Sequence, residues 1–428
     1  MKITPIHRGL SAAVGVFFAA SLALPSGYSY GAVAMLLVAL WGAPQWLRGP
    51  WDRGTLALAT LMLVMGILWG VSLEHGQGWR WTGSDYWLKY GLAAVCLAAA
   101  AHHGIALRAV VWGLAAGCWG ALGIAGYQYL VLGWDKAWGF TNAIQYGGIA
   151  MYLGMATWCM ALLSAAPHRQ ALVLWVSGAA GIAAALLSET RGAWIVAPCM
   201  LAFMVLALLR FGRSRLAGRL CLLALCTLVL VLALLGEKLG SRSMLAVQEI
   251  LLYLEAPVQG AQTSVGQRLE QWQLAWGLIA EQPWSGWGQE GISAAKARWV
   301  AAGWAHPSVL DYEHAHNEVL DMWAKRGMWG LASLLVFYVL PWCLFVPTRA
   351  RMLRWPAAVQ GQLLGLRTAA AMLPLAYWGF GWTQVFFAHN SGNMFYLFSL
   401  VAFWGALRHW ERTQLQLQNQ VQPAAGSL

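Results

Sequence analysis

The sequence predicts an all-α polytopic membrane protein: about twelve transmembrane helices with one large helical loop on the outer side. Three observations carry that expectation. Hydrophobic residues fill 60% of the 428 positions and charged residues only 10%, a balance that excludes an ordinary soluble chain. The apolar residues fall in runs close to the ~20 residues that span a bilayer. A single long polar stretch, residues 236–321, interrupts them and ends in Asp311-Tyr312-Glu313-His314-Ala315-His316-Asn317-Glu318.

In chain order the apolar runs are read at residues 10–25, 28–46, 54–73, 86–102, 105–132, 142–164, 170–187, 192–209, 218–236, 321–345, 365–387 and 391–408. Residues 1–236 then hold nine spans, 237–320 the outer loop, 321–410 three more spans, and 411–428 a polar, Gln-rich cytoplasmic tail whose composition predicts disorder. Lys2 and Arg8 ahead of the first run resemble a signal peptide, but the second run begins at once, so the first is read as an uncleaved span. Twelve spans put both termini on one side. With the N-terminus cytoplasmic, the inner segments collect sixteen of the 27 basic residues but only Asp52 and Glu411 among the acids, the asymmetry of the positive-inside rule. Residues 237–320 are therefore expected outside. The same distribution excludes nucleic acid as a partner, since the basic excess is scattered over short juxtamembrane loops where it meets anionic lipid. Tryptophans such as Trp79, Trp81 and Trp87 outside and Trp41, Trp46 and Trp51 inside read as interface anchors. Seven cysteines lie in apolar runs with neither disulfide nor zinc spacing and read as packed thiols.

Within the loop, Ser264-Val265-Gly266-Gln267-Arg268 reads as a helix start, a Ser three residues before a Gln forming a capping box. Leu269, Trp272, Trp276 and Ile279 then share one helical face, suited to lie on lipid. Gln282-Pro283-Trp284-Ser285-Gly286-Trp287-Gly288 stops this helix, and a second run follows at residues 293–300.

Basic residues on the outer side are informative because topology gives no reason for them. Arg191 stands in a hairpin of a few residues, Ser188-Glu189-Thr190-Arg191-Gly192-Ala193-Trp194, where Gly192 lets the backbone approach closely. Arg268 sits in the first turn of the capped helix, near free N–H groups and the positive end of a dipole. Two guanidinium forks on one surface suit a diphosphate. The blander readings are a snorkelling Arg191 and an Arg268 in a surface ion pair with Glu270 or a neighbouring acid. His314 and His316 share a side in an extended loop and face apart on a helix. With Asp311, Glu313 and Glu318 nearby they form a weak zinc pattern lacking a third well-spaced ligand. A structural histidine bonded to a carboxylate is a second reading. A general base is favoured, since imidazole titrates near neutral pH.

His316-Asn317, nine further residues and then Gly327-Met328-Trp329-Gly330 resemble the His-Asn, spacer, Gly-x-x-Gly signature of bacterial O-antigen ligases, which stand with O-antigen polymerases in one superfamily of membrane glycosyltransferases. The layout of spans, the position of the loop and the two arginines agree with that resemblance. One departure is Ile195, where the family has Leu four residues after the arginine. The resemblance implies a GT-C-like fold in the bacterial inner membrane with a periplasmic active site. It implies transfer of O-antigen from an undecaprenyl diphosphate carrier to lipid A core oligosaccharide, by inversion and without metal or other cofactor. Arg191 and Arg268 would bind the diphosphate and act in catalysis, and His316 would be the base. His314 and Asn317 are further candidates for substrate contact. No P-loop or dinucleotide fingerprint competes. An O-antigen polymerase, a protein O-oligosaccharyltransferase and a lipid-linked glycan flippase are the alternatives, the last lacking the internal repeats and matched helix breaks of transporters.

Overall fold

The computed structural model describes residues 4–74, 76–82, 85–163 and 168–421. In chain order the helices are α1 (Pro5–Ala20), α2 (Gly27–Trp41), α3 (Ala43–Trp46), α4 (Arg53–Gly70), α5 (Tyr86–His103), α6 (Leu107–Gly126), α7 (Ala143–Leu163), α8 (His168–Leu187), α9 (Arg191–Arg210) and α10 (Ser214–Glu255). They continue with α11 (Pro257–Gly260), α12 (Ser264–Glu281), α13 (Gly291–Ala301), α14 (Glu318–Phe345), α15 (Arg349–Leu353), α16 (Ala357–Phe380) and α17 (Asn390–Val421). Side chains start several of them. Thr4 caps α1 ahead of Pro5, and the Asp52 carboxylate accepts from the N–H groups of Gly54 and Thr55 at the head of α4. All twelve apolar segments overlap a helix. Five stretches among the described residues, Arg53–Gly70, Leu107–Val131, His168–Leu187, Arg191–Arg210 and Glu318–Leu353, are long and apolar enough to cross a membrane by length and composition. The chain is an all-α integral membrane protein.

One large core of buried side chains runs through the apolar helices, with Phe17, Tyr152, Trp158, Phe337, Tyr377 and Tyr396 among its largest members. A second core gathers Leu274, Leu278, Trp287, Ile292, Val309 and Ala324 and makes residues 264–324 a packed unit of its own. The sheet content is one hairpin, β1 (Val71–Glu74) and β2 (Gly78–Trp81), paired antiparallel with Val71 opposite Trp81. It fastens the second core to the bundle. The Glu74 carboxylate accepts from the N–H groups of Gln289, Glu290 and Gly291 at 2.9–3.0 Å, where the dipole of α13 favours negative charge.

Residues 237–255 continue the helix of the run read at 218–236: α10 is a single helix of 42 residues, about 63 Å long at 1.5 Å per residue, twice the ~30 Å hydrocarbon thickness. Other expectations need correction. The run read at 365–387 ends as helix at Phe380, because the chain turns through a short 3-10 segment, Phe386–Ala388, before α17. Residues 411–421, expected to be disordered, continue α17, where Gln, Leu and Arg are good helix formers; residues 422–428, like Lys2, lie outside the described residues. Among the cysteines only Cys96, Cys118 and Cys159 are buried, while Cys199, Cys221, Cys226 and Cys343 point outward from their helices. Finally, α12 turns Gln271, Leu274, Ala275, Leu278 and Ile279 inward, so Ile279 of the stripe read as lipid-facing packs into the second core, while Trp276 of the same stripe stays exposed against the edge of Trp323.

Candidate active site

Four segments converge at one end of the bundle. The first is the turn between α8 and α9. Ser188 is fully buried, its hydroxyl donating to the Ala185 carbonyl and lying 2.8 Å from the Thr190 hydroxyl, which places Arg191 as the first residue of α9. Gly192 allows a close approach there: a Cβ at that position would meet the Thr383 hydroxyl at 2.3 Å, so a larger residue would have to displace that side chain for the start of α9 to lie against the segment that follows α16.

The second segment is the head of α12. Its cap is Thr263, whose hydroxyl accepts from the Gly266 N–H, so the capping box read at Ser264 and Gln267 is not formed; Gln267 instead accepts from the Tyr312 hydroxyl. The N–H groups expected to stand free are partly used as well, since Glu249 accepts from Val265 at 3.2 Å. Arg268 is not paired with Glu270. Glu270 accepts from the Tyr253 hydroxyl and the His306 N–H, and among the described residues neither Arg191 nor Arg268 is ion-paired with a carboxylate.

The histidine loop is the third segment, and two buried lysines hold it. Lys296 donates to the Tyr312 carbonyl at 2.8 Å and to Gln271 at 3.1 Å. Lys325 donates to the Glu313 carbonyl at 2.8 Å and pairs with Asp321 at 3.0 Å, while Asp321 also accepts from the Ala315 N–H. The chain then passes through His316 at φ +51°, a left-handed conformation uncommon outside glycine and concentrated at functional positions. Asn317 follows as the cap of α14, its amide oxygen accepting from Val319 and Leu320. That oxygen, proposed for substrate contact, is engaged in holding the helix. The rings of His314 and His316 meet edge to face at 4.6 Å, so the two share a side, as an extended loop predicts. No three His, Cys, Asp or Glu side chains among the described residues are grouped to hold a metal ion.

The fourth segment, residues 381–389, was read as the end of a span. It brings Gln384 to 2.9 Å from Nδ1 of His316 and the His389 ring to 5.5 Å from that of His314. The signal was present as Thr383, Gln384 and His389, polar residues at the edge of an apolar run, a combination that is costly in lipid and marks function.

Electrostatics join the parts. Burial, and then the charge of Arg191, push the Arg268 guanidinium below its usual range. Burial, and then Arg268, lower the His316 imidazole to about 4, and burial lowers His314 to about 4 as well. Arg191, Arg268 and His316, proposed from separate parts of the chain, are thus electrostatic neighbours; the Glu249 carboxylate partly opposes the lowering of Arg268, and the imidazole beside the arginines is neutral.

The signature glycines have a geometric reason. Gly327 breaks α14 at φ +65°, and a Cβ there would lie 2.0 Å from the Trp284 carbonyl. The turn at residues 283–288 docks into the break, with hydrogen bonds from Trp287 to Ala324, Gly288 to Lys325 and Met328 to Pro283, which satisfy backbone groups the break exposes.

Residues 175–335 match the family described as O-Antigen ligase, a stretch that contains Arg191, Arg268, His316 and both signature glycines. An uncharacterized protein of Haemophilus influenzae is 27% identical over 286 residues, covering 65% of this chain and 68% of its own length. By sequence match and signature, residues 175–335 of this integral membrane protein are similar to the O-antigen ligase family.

Proposed function

We propose that the protein is an O-antigen ligase of the bacterial inner membrane, joining O-antigen from undecaprenyl diphosphate to the lipid A core oligosaccharide at the periplasmic face. In this reading the chain crosses the membrane about twelve times with both ends cytoplasmic, and residues 237–320 stand outside. The observation that carries it is the grouping of two arginines, neither of them ion-paired among the described residues, with a half-buried histidine whose imidazole is held in its neutral form.

A hydroxyl oxygen of the acceptor sugar attacks C1 of the donor glycan. The new C1–O bond forms as the C1–O bond to the diphosphate breaks, and the electron pair leaves with the diphosphate. That group gains charge in the transition state, so Arg191 and Arg268 stabilise it there more than in the ground state. The hydroxyl proton passes to His316. A single displacement of this kind inverts the anomeric centre. Activation resides in the diphosphate itself, so the reaction draws on no nucleotide, metal or other cofactor.

The test is transfer by purified protein from an undecaprenyl-diphosphate-linked glycan. His316→Ala should retain donor binding and lose about 10²–10⁴ in rate. Arg191→Lys and Arg268→Lys should lose most activity through weaker donor handling, because a point charge does not reproduce the bidentate fork. Chelator should leave the rate unchanged. Zinc-restorable loss in EDTA would overturn the base assignment, and a product that remains on undecaprenyl diphosphate and grows by one repeat would make the enzyme a polymerase.

A further inference from the structure

The proposal for His316 leaves open which ring nitrogen takes the proton, and the surroundings of Gln384 decide it. Gln384 is 4% exposed, and its side-chain oxygen lies 3.1 Å from the Val385 backbone nitrogen and 2.9 Å from Nδ1 of His316. The Val385 N–H is an obligatory donor, so the atom it meets is the amide oxygen; turning the amide over would set its NH₂ against that N–H. The same oxygen has a second lone pair facing Nδ1. We infer that Gln384 is a positioning residue for His316, holding its imidazole as the tautomer with the proton on Nδ1 and the basic lone pair on Nε2.

Rigid supports maintain this geometry. Glu318, the first residue of α14, donates its N–H to the Gly381 carbonyl at 2.7 Å and accepts from the Phe387 N–H at 3.1 Å, so the Gln384 segment is pinned on both sides of the glutamine to the helix that begins two residues after His316. The edges of Tyr312 at 4.8 Å and His314 at 4.6 Å restrict rotation of the His316 ring. The charged and titratable groups around it are Arg268, Asp321, His314, His389 and Tyr312. None of these is hydrogen-bonded to the ring, and among the described residues Nε2 has no protein partner. It is the nitrogen left for an acceptor hydroxyl.

This inference rests on His316 being the base, and the experiment separates the two. Gln384→Met removes the acceptor with little change of volume and should lower kcat by on the order of 10² while leaving donor KM within a few-fold, because part of the ring population then carries its proton on Nε2. Gln384→Glu keeps an acceptor and adds charge; it should retain activity within about tenfold and shift the acidic limb of the pH–rate profile upward by about one unit or more. Independently of any change at Gln384, ¹⁵N spectra of histidine-labelled wild-type protein should show a protonated Nδ1 in the signal that His316→Ala removes. Wild-type kcat in Gln384→Met, or a proton on Nε2 in the wild-type spectrum, would overturn the positioning role. A wild-type rate in His316→Ala would instead remove the base assignment beneath it.

Discussion

His316 illustrates how one residue's properties are made by its neighbours. Its imidazole is lowered to about 4 first by burial and then by Arg268, both of which disfavour a second positive charge. The working form of a general base is the neutral one, so kcat/KM, which reports the free enzyme, should fall only as pH drops through that value. Between pH 8 and about 5.5 the profile should be nearly flat, and a loss centred near 6.5 in purified enzyme would show that the ring titrates as in solvent. A low value also makes a weak base in the empty site. An anionic diphosphate beside Arg268 would offset that cation and raise the imidazole, so basicity would increase when donor is bound. His314 shares the low value, with burial as the first cause in both rings and Asp321 opposing it in both, but Arg268 acts on His316 alone.

At the scale of elements, α14 carries most of the organisation. Its N-terminal turn follows His316 through the Asn317 cap, Asp321 and Lys325 tie back the histidine loop, and the break at Gly327 receives the turn that closes the second core. Gly327→Ala should therefore cost several kcal/mol, since positive φ alone costs about 1–3 kcal/mol in a non-glycine residue and the Trp284 carbonyl must also move. Thermal denaturation in detergent, followed beside transfer activity, measures this. Gly218→Ala is the control: it lies inside α10 with nothing near its missing Cβ, and should be neutral or stabilising by up to about 1 kcal/mol. Equal behaviour of the two variants would mean that the break is not needed.

For the whole molecule the open quantity is orientation, and the charge asymmetry predicts it. Single cysteines at Gln262 and Gln416, both exposed positions, in a background without the seven native thiols, should differ in intact spheroplasts. Gln262→Cys should react with an impermeant thiol reagent, and Gln416→Cys should react only after lysis. The reverse pattern would invert the assignment. The 42-residue α10 adds a consequence, since a helix of about 63 Å that crosses the bilayer must also project beyond it and can carry the second core clear of the headgroups.

Several features were legible in the sequence because they depend on local chemistry or simple sums. Apolar runs of bilayer length dictate membrane helices whatever their neighbours do, and the signature from His316 to Gly330 and the arginines Arg191 and Arg268 stood out against a chain with few charges. What required tertiary structure was everything set by contact between distant segments. Gln384 and His389 look like the edge of a span until the turn after α16 folds back on α14, and the Thr263 cap and the inward face of α12 are chosen by what α12 packs against. Lys296 and Lys325 gain their role only when burial and the carbonyls of the histidine loop give them partners. Periodicity specifies that a helix has faces, and composition specifies that it meets lipid or core, but the choice of inward face and the pKa of a buried imidazole depend on desolvation and on charges brought together only by folding.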